Sequence, residues 1–456
     1  MIILFVERGL VLVLATVALL LAIVSFRGLV NLQDPISDIG IIDQLSLLLG
    51  LHEQSHVLVV STNNYTTDVH LFTFQKRLKD GAFFLSHESI AHRDSLLIQE
   101  MHQAKLQNRC EEVLEACDSV VPFTAKKSNI PILLGLPTTS LRKKKEERML
   151  VSGLHTCLST SDYDYNKDGS IGMISPIKQI VMQWFALALL NKGLPFRRPK
   201  DTPFIAETDE DNLYITYATG DYNRLSNASL IMHQKVLVFG EIWDLVTVKI
   251  PGLGVYTSRQ MVFTGGDLGR EMITSPCVNP VVDRWWDYRG HNYHIKGIKK
   301  SVEEIKEKNG PFAGKKVARP VANFDDCHAV VQSYVKRHLG KEFDYLIKDI
   351  RKRKVYIRGN IFVKCSERGL TDPFKGGAVK MKQFMDSLKH ACKVPNTEQP
   401  YACVDMMVMG VFMENVFGLH KSSVLYTPHK VEERHMTGDW QVTAALSVYQ
   451  NGLIGF

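Results

Sequence analysis

Residues 57–75 set a continuous apolar run against a returning run of β-branched and aromatic residues, and that pairing commits the chain to a sheet. Val57–Val60 reads as a buried strand, Ser61–Thr67 as a tight polar loop and Val69–Phe74 as the strand coming back. The product is a hairpin that holds a polar loop over a sheet edge. A second hairpin pattern runs from Lys235 to Ile250.

Elsewhere the hydrophobic period lengthens. Between His87 and Val120, the residues Leu96, Leu97, Met101, Leu106, Val113 and Leu114 fall at helical spacing and predict one long or two short helices. Ile130–Leu136 predicts a strand, Lys143–Leu158 a helix, Trp184–Leu190 a buried helix, and the stretch from Tyr401 to Leu419 another. Phe196–Asp221 is polar and charged and reads as a link between domains. Hairpins alternating with helices predict an α/β fold. At 456 residues, 45% hydrophobic and 23% charged, the chain can build two domains with full cores.

Ahead of the first hairpin, Gly9–Phe26 carries no charge and is about long enough to cross a bilayer as a helix. It predicts a signal-anchor within residues 1–30, with a short cytosolic stub before it and the rest of the chain lumenal or extracellular. A cleaved signal peptide is the alternative, because Ala22–Ser25 offers small residues near the end of a run that is long for such a segment. Arg8 and Arg27 flank the run evenly and do not set its orientation. Asn64-Tyr65-Thr66 and Asn227-Ala228-Ser229 are glycosylation sequons. The formal net charge of +7 comes partly from basic runs at Arg142–Arg148, Lys299–Lys316 and Arg351–Lys354. Without aromatic interleaving or a nucleic-acid module these read as solvated surface, so nucleic acid is not an expected partner.

Asp164, Asn166 and Asp168 place oxygens at alternating positions before Gly169, as the first eight positions of an EF-hand calcium loop do. Ser175 stands where that loop supplies a bidentate glutamate, so a plain Asp/Asn/Gly surface turn is the expected form and calcium the lesser alternative.

Several stretches together resemble the apyrase family, the nucleoside di- and triphosphate diphosphohydrolases. The family's first phosphate loop, Asp-Ala-Gly-Ser-Ser/Thr-x-Thr, falls on Ser61, Thr62, Asn63, Asn64, Tyr65 and Thr66. Its Leu-Gly-Ala-Thr-Ala-Gly-Met-Arg falls on Leu134–Arg142, with Ser140 for the inner glycine. Its Gly-x-Glu-Glu-Gly-x-Tyr-x-Trp, aligned on Trp184, puts Gln179 at the glutamate that deprotonates the attacking water. Its second phosphate loop, Asp-Leu-Gly-Gly-Ala-Ser-Thr-Gln, is placed on the second hairpin, with Val238 for the aspartate, Gly240 kept, and Glu241 and Trp243 for a glycine and the serine. Tyr256, Gly266 and Asp267, the Asn323–His328 and Gly359–Phe362 stretches, and the closing Thr437–Thr443 complete the pattern over roughly residues 55–456.

The resemblance implies two actin-like (ribonuclease-H-like) lobes with a nucleotide cleft: lobe I over 50–190, closed by 437–456, and lobe II over 191–436. It implies disulfides Cys277–Cys327 and Cys392–Cys403. Cys110, Cys117, Cys157 and Cys365 receive no pairing from it and are expected as buried thiols. With Gln179 unable to take a proton, the leading expectation is a catalytically degenerate homologue of the secretory pathway, Golgi or cell surface, that acts by binding a nucleotide or a protein partner. An active Ca2+- or Mg2+-dependent nucleoside diphosphatase using displaced carboxylates such as Asp68, Glu241, Asp244 or Asp267 is the alternative, and a calcium-binding surface module the third.

Overall fold

The computed structural model describes residues 54–62, 66–76, 83–93, 103–138, 144–190, 198–220, 231–238, 241–299, 302–306, 309–311, 313–339, 353–428 and 439–449. The expected signal-anchor, the sequon asparagines Asn64 and Asn227, Asn63, Tyr65 and Gly240 lie outside them, and no described helix is long and apolar enough to cross a membrane. The chain divides into two compact units: Met1–Ser175 with Leu189–Lys192 and Val431–Phe456, and Pro176–Ala188 with Gly193–Lys430.

In the first unit the opening hairpin is β1 (Gln54–Thr62) and β2 (Thr67–Lys76), paired antiparallel until Thr62 meets Thr67. β3 (Phe83–Arg93) adds to the outer edge of β2, across a bulge at Thr73/Phe74. This corrects the helix expected from His87: eleven residues with polar groups at alternate positions serve an edge strand, and helix α1 starts only at Gln103 and runs to Val120. β4 (Ile132–Pro137) and β5 (Ile171–Ile174) extend the sheet in parallel from β1, giving the order β3-β2-β1-β4-β5.

Helix α2 (Lys144–Ser159) packs beside α1. Leu58, Val60, Val69, Leu71, Ile132 and Leu134 face the two helices and close the core of this unit. A disulfide joins Cys110 of α1 to Cys157 of α2, where free thiols were expected; Cys117 and Cys365 are the buried free thiols. Both bonded cysteines stand on the helix faces turned to this core, which brings them together although 47 residues separate them.

Helix α3 (Pro176–Leu190) leads into the second unit, whose main sheet has seven strands. β6 (Phe204–Thr208) and β7 (Asn212–Ala218) are its central hairpin, in the stretch expected to be a polar link. The apolar residues of both strands are buried, and the charges that make the stretch read as polar lie mostly outside the strands, at Arg197–Asp201 before β6 and at Asp209–Asp211 in the turn. β8 (Ile231–Val238) and β9 (Glu241–Pro251) form the next hairpin, with β8 at the edge.

Helix α4 (Val255–Thr264) is followed by strands β10 (Met272–Ser275), β11 (Asp283–Tyr288) and β12 (His291–Gly297) in a separate small sheet ordered β10-β12-β11. β13 (Val302–Lys306) and β14 (Lys316–Pro320) pair with each other, and helix α5 (Phe324–His338) follows. β15 (Val355–Gly359), helix α6 (Asn360–Glu367), β16 (Gly376–Lys380), helix α7 (Met381–Lys393), helix α8 (Ala402–Val411), a π-helical turn at Phe412–Val416 and β17 (Val424–Pro428) complete the unit. Disulfides join Cys277 to Cys327 and Cys392 to Cys403.

The seven-stranded order is β16-β17-β15-β6-β7-β9-β8. Within it, β9-β7-β6-β15-β17 repeats β3-β2-β1-β4-β5 in order and in direction: a central antiparallel hairpin, an antiparallel third strand, then two parallel additions. The two units are built on one topology, and β6–β7 is the counterpart of β1–β2.

Candidate functional site

The topology singles out two turns, one in each unit, at the tips of equivalent central hairpins. In the first unit the described edge of that turn is Ser61, Thr62, Thr66 and Thr67. Ser61 alternates with Val60 and so leaves β1 on the face away from the α1–α2 core. That face is covered by the helix Trp440–Ser447, whose first turn Asp439 caps by accepting from the Trp440 N–H at 2.8 Å. Gln441 of this helix donates from Nε2 to Ser61 Oγ at 3.1 Å, and both side chains are buried. Gln441 Oε1 is buried without a partner.

Beside them Trp440 lies on Gly135 of β4 so closely that a methyl there would run into the indole ring. Thr62 Oγ1 donates to the Gly135 carbonyl at 3.5 Å. Where the family pattern has an aspartate, this unit has a neutral hydroxyl already engaged by a neutral amide.

In the second unit the equivalent turn is Asp209–Asn212. Hairpin pairing sets Thr208 against Leu213 as it sets Thr62 against Thr67, so Glu207 stands where Ser61 stands. The Asp209 carboxylate folds back over its own turn: Oδ1 accepts the backbone N–H of Asp211 at 2.7 Å and of Asn212 at 2.6 Å, and the Asn212 amide at 3.3 Å. The start of α4 braces the turn from behind, with Tyr256 and Thr257 N–H both donating to the Glu210 carbonyl. Gly254 is obligatory there, because a side chain would meet the Asp211 backbone.

Asp211 points the other way. Its carboxylate accepts from Tyr288 Oη at 2.6 Å and Thr257 Oγ1 at 2.8 Å and pairs with Arg289 at 2.5 Å. Burial works against its charge, yet these three donors hold its carboxyl below the usual carboxylate range. Burial, with Asp211 as acceptor, pushes the Tyr288 hydroxyl up to about 12.

The turn at 209–212 was not among the residues singled out from sequence, although Asp-x-x-Asn between two apolar runs is a turn signal with a mechanism. The stretch assigned instead, Val238–Trp243, lies on the β8–β9 hairpin, whose edge strand β8 has no counterpart among the described strands of the first unit. There Val238 pairs directly with Glu241, and the Trp243 ring is buried against Trp184 at 6.4 Å. Trp184 donates from Nε1 to the Pro203 carbonyl at 3.0 Å. Gln179 lies on the same helix, α3, and is half-buried.

The displaced carboxylates are scattered. Asp68 pairs with His92 at 2.6 Å on the outer strands of the first sheet, Asp267 accepts Gly269 N–H in the turn after α4, and Asp244 sits within β9. Asn166 Oδ1 accepts Asp168 N–H, closing the 164–170 segment as a turn. Among the described residues no three His, Cys, Asp or Glu side chains form a group able to hold a metal. One turn offers a neutral serine bonded to Gln441, and the other an acidic segment whose Asp209 carboxylate is taken up by its own backbone N–H groups.

No protein-family model matches the chain. It is similar to human ectonucleoside triphosphate diphosphohydrolase 6, 18% identical over 392 residues, which span 84% of this chain and 75% of the relative. It is similar also to ectonucleoside triphosphate diphosphohydrolase 5 of Ailuropoda melanoleuca, 20% identical over 401 residues, 84% and 85% of the two chains. Among solved structures, that of the nucleoside triphosphate hydrolases from Neospora caninum shares the fold, with a TM-score of 0.52 at 12% identity over 89% of this chain and 94% of that one.

Proposed function

Because this chain is a divergent member of the apyrase family, we propose that it is a catalytically degenerate nucleoside phosphatase homologue that acts by binding. The carrying observation is the Asp209 carboxylate on the N–H groups of Asp211 and Asn212. A phosphate loop works because backbone N–H groups point at an anion and nothing else satisfies them. Here the anion is covalently part of the turn, and Glu207, Asp209 and Glu210 add a field that repels phosphate, while the charge of Asp211 is met by Arg289. The first loop lacks its acid, with Gln441 bonded to Ser61 in its place. Gln179, at the base position of the resemblance, cannot accept a proton from water.

The three disulfides among the described residues support residence in an oxidising compartment. Together with the uncharged run Gly9–Phe26 they support a membrane-anchored protein of the secretory pathway with its bulk lumenal or extracellular. Nucleotide binding of the kind the family's phosphate loops provide is accordingly expected to be weak in the native protein.

A second reading, hydrolysis through displaced carboxylates with Ca2+ or Mg2+, has one observation on its side: Asp244 Oδ1 is buried without a hydrogen-bond partner. Phosphate release from nucleoside di- and triphosphates by the purified chain, with and without Ca2+ or Mg2+, separates the two. Background rates are expected, and turnover of about 1 per second or more would overturn the degenerate reading in favour of the second.

A further inference from the structure

The small sheet of the second unit has two unlike faces. Ile273, Tyr293 and Ile295 turn inward to the core of the unit. The alternate residues turn outward, and strand pairing aligns them in rows. Met272, His294 and Trp285 form one row straight across β10, β12 and β11. Thr274, Lys296 and Asp283 form the row on one side of it, and Asn292 with Asp287 the row on the other.

The middle row sets two exposed apolar side chains, Met272 and Trp285, on either side of a half-buried imidazole. Trp285 is 58% and Met272 57% exposed, large values for such side chains on a sheet. The Trp285 ring stacks on the His294 imidazole at 4.6 Å with 11° between planes. That imidazole is fixed at both nitrogens, by Asp283 at 2.5 Å and by the Met272 sulfur at 3.2 Å. β11 is an edge strand, so with one ring face on His294 the other looks out over the sheet edge. Along β11, Asp283 and Asp287 stand on the same face, each roughly 7 Å from Trp285.

We propose that this Trp285 face is a carbohydrate-binding site that takes a neutral hexopyranose of a glycan. A pyranose has an apolar C–H face that lies on an aromatic ring and a rim of hydroxyls that donate to carboxylates and bond to amides. Trp285 supplies the plane, and Asp287 with Asn292 the rim partners. Charge selects against an anion: Lys296 at 3.2 Å and His294 hold Asp283 on the sheet, and the exposed Asp287 repels negative charge. The ring is already locked, so little side-chain freedom is lost on binding. The inference is independent of whether hydrolysis is lost, since it uses no residue of either turn.

The test titrates the full chain with maltotriose, mannotriose and N,N′-diacetylchitobiose, read by tryptophan fluorescence and by calorimetry. At least one is expected to saturate, with Trp285→Ala weakening it at least tenfold and Asp287→Asn severalfold, while the melting temperature of each variant stays near that of the parent. Trp285 is exposed, so these variants are expected to fold, and an unchanged melting curve verifies it. No binding of any of the three up to 10 mM would overturn the proposal. So would binding that Trp285→Ala leaves intact, binding of tetramethylammonium in place of the sugars, or a concentration-dependent dimer that Trp285→Ala dissolves.

Discussion

Asp209 does for its turn what a bound phosphate would do for a working loop, so removing its side chain is the sharpest single change available. Asp209→Gly leaves the Asp211 and Asn212 N–H groups without an acceptor and supplies the small residue such loops use. Calorimetric titration with pyrophosphate is expected to show measurable binding in the variant and none in the parent. The lost hydrogen bonds are expected to cost about 1–2 kcal/mol of stability. Equal, absent binding in both would mean that the acidic neighbours alone keep phosphate out.

Asp211 makes a separate prediction. Its folded-state pKa lies below the unfolded value of about 3.9, so the stability it contributes is present above that value and is lost as pH falls through the folded pKa. Tyr288 runs the opposite way: its raised pKa contributes stability below about 10 that is lost as pH rises toward its folded value of about 12. Asp211→Asn should flatten the acid limb of stability against pH and Tyr288→Phe the alkaline limb, both read from urea midpoints.

Among the elements, the helix Trp440–Ser447 is held against the first sheet by the flat contact between Trp440 and Gly135. Gly135→Ala must displace the indole or the strand, a strain worth about 1–3 kcal/mol. Gly220→Ala, where a methyl meets nothing within 4 Å, is the control expected to be near neutral. A parent-like denaturation midpoint for Gly135→Ala would show that the helix yields freely.

The elements also show where sequence is readable. The β1–β2 hairpin, β4, α2 and α3 follow from runs and periods that their own residues carry. β3 did not, because an edge strand exposes polar residues on one face and its spacing mimics a helix turn. β6 and β7 were hidden because the charged residues at 197–201 together with the acidic turn dominate the average of the stretch, while Phe204–Ala206 and Leu213–Ala218 individually read as strands. Cys110–Cys157 needed the packing of α1 on α2, which no local pattern fixes. The second turn could be identified only once the strand order showed that one topology occurs twice.

For the molecule as a whole, hydrolysis on the proposed reading would require parts from separate elements: a base on α3, a loop at β1–β2 and a loop at β6–β7. Each is altered, and in a different way. Gln179 has no proton affinity to offer, a loss usually worth about 10²–10⁴-fold by itself. Ser61 is neutral and bonded to Gln441, and the Asp209–Asn212 turn is filled by its own carboxylate. In a family-like mechanism these deficits would bear on one transition state and need not add. Gln179→Glu alone is therefore expected to leave phosphate release from a nucleoside diphosphate at background, with Ca2+ or with Mg2+. Adding Ser61→Asp and Asp209→Gly to it changes all three places at once, and release above background is expected only in that combined variant. If Gln179→Glu alone gave strong release, both turns would have to hold phosphate as they stand. The reading of Asp209 as an internal anion and of Ser61 as a closed position would then be wrong.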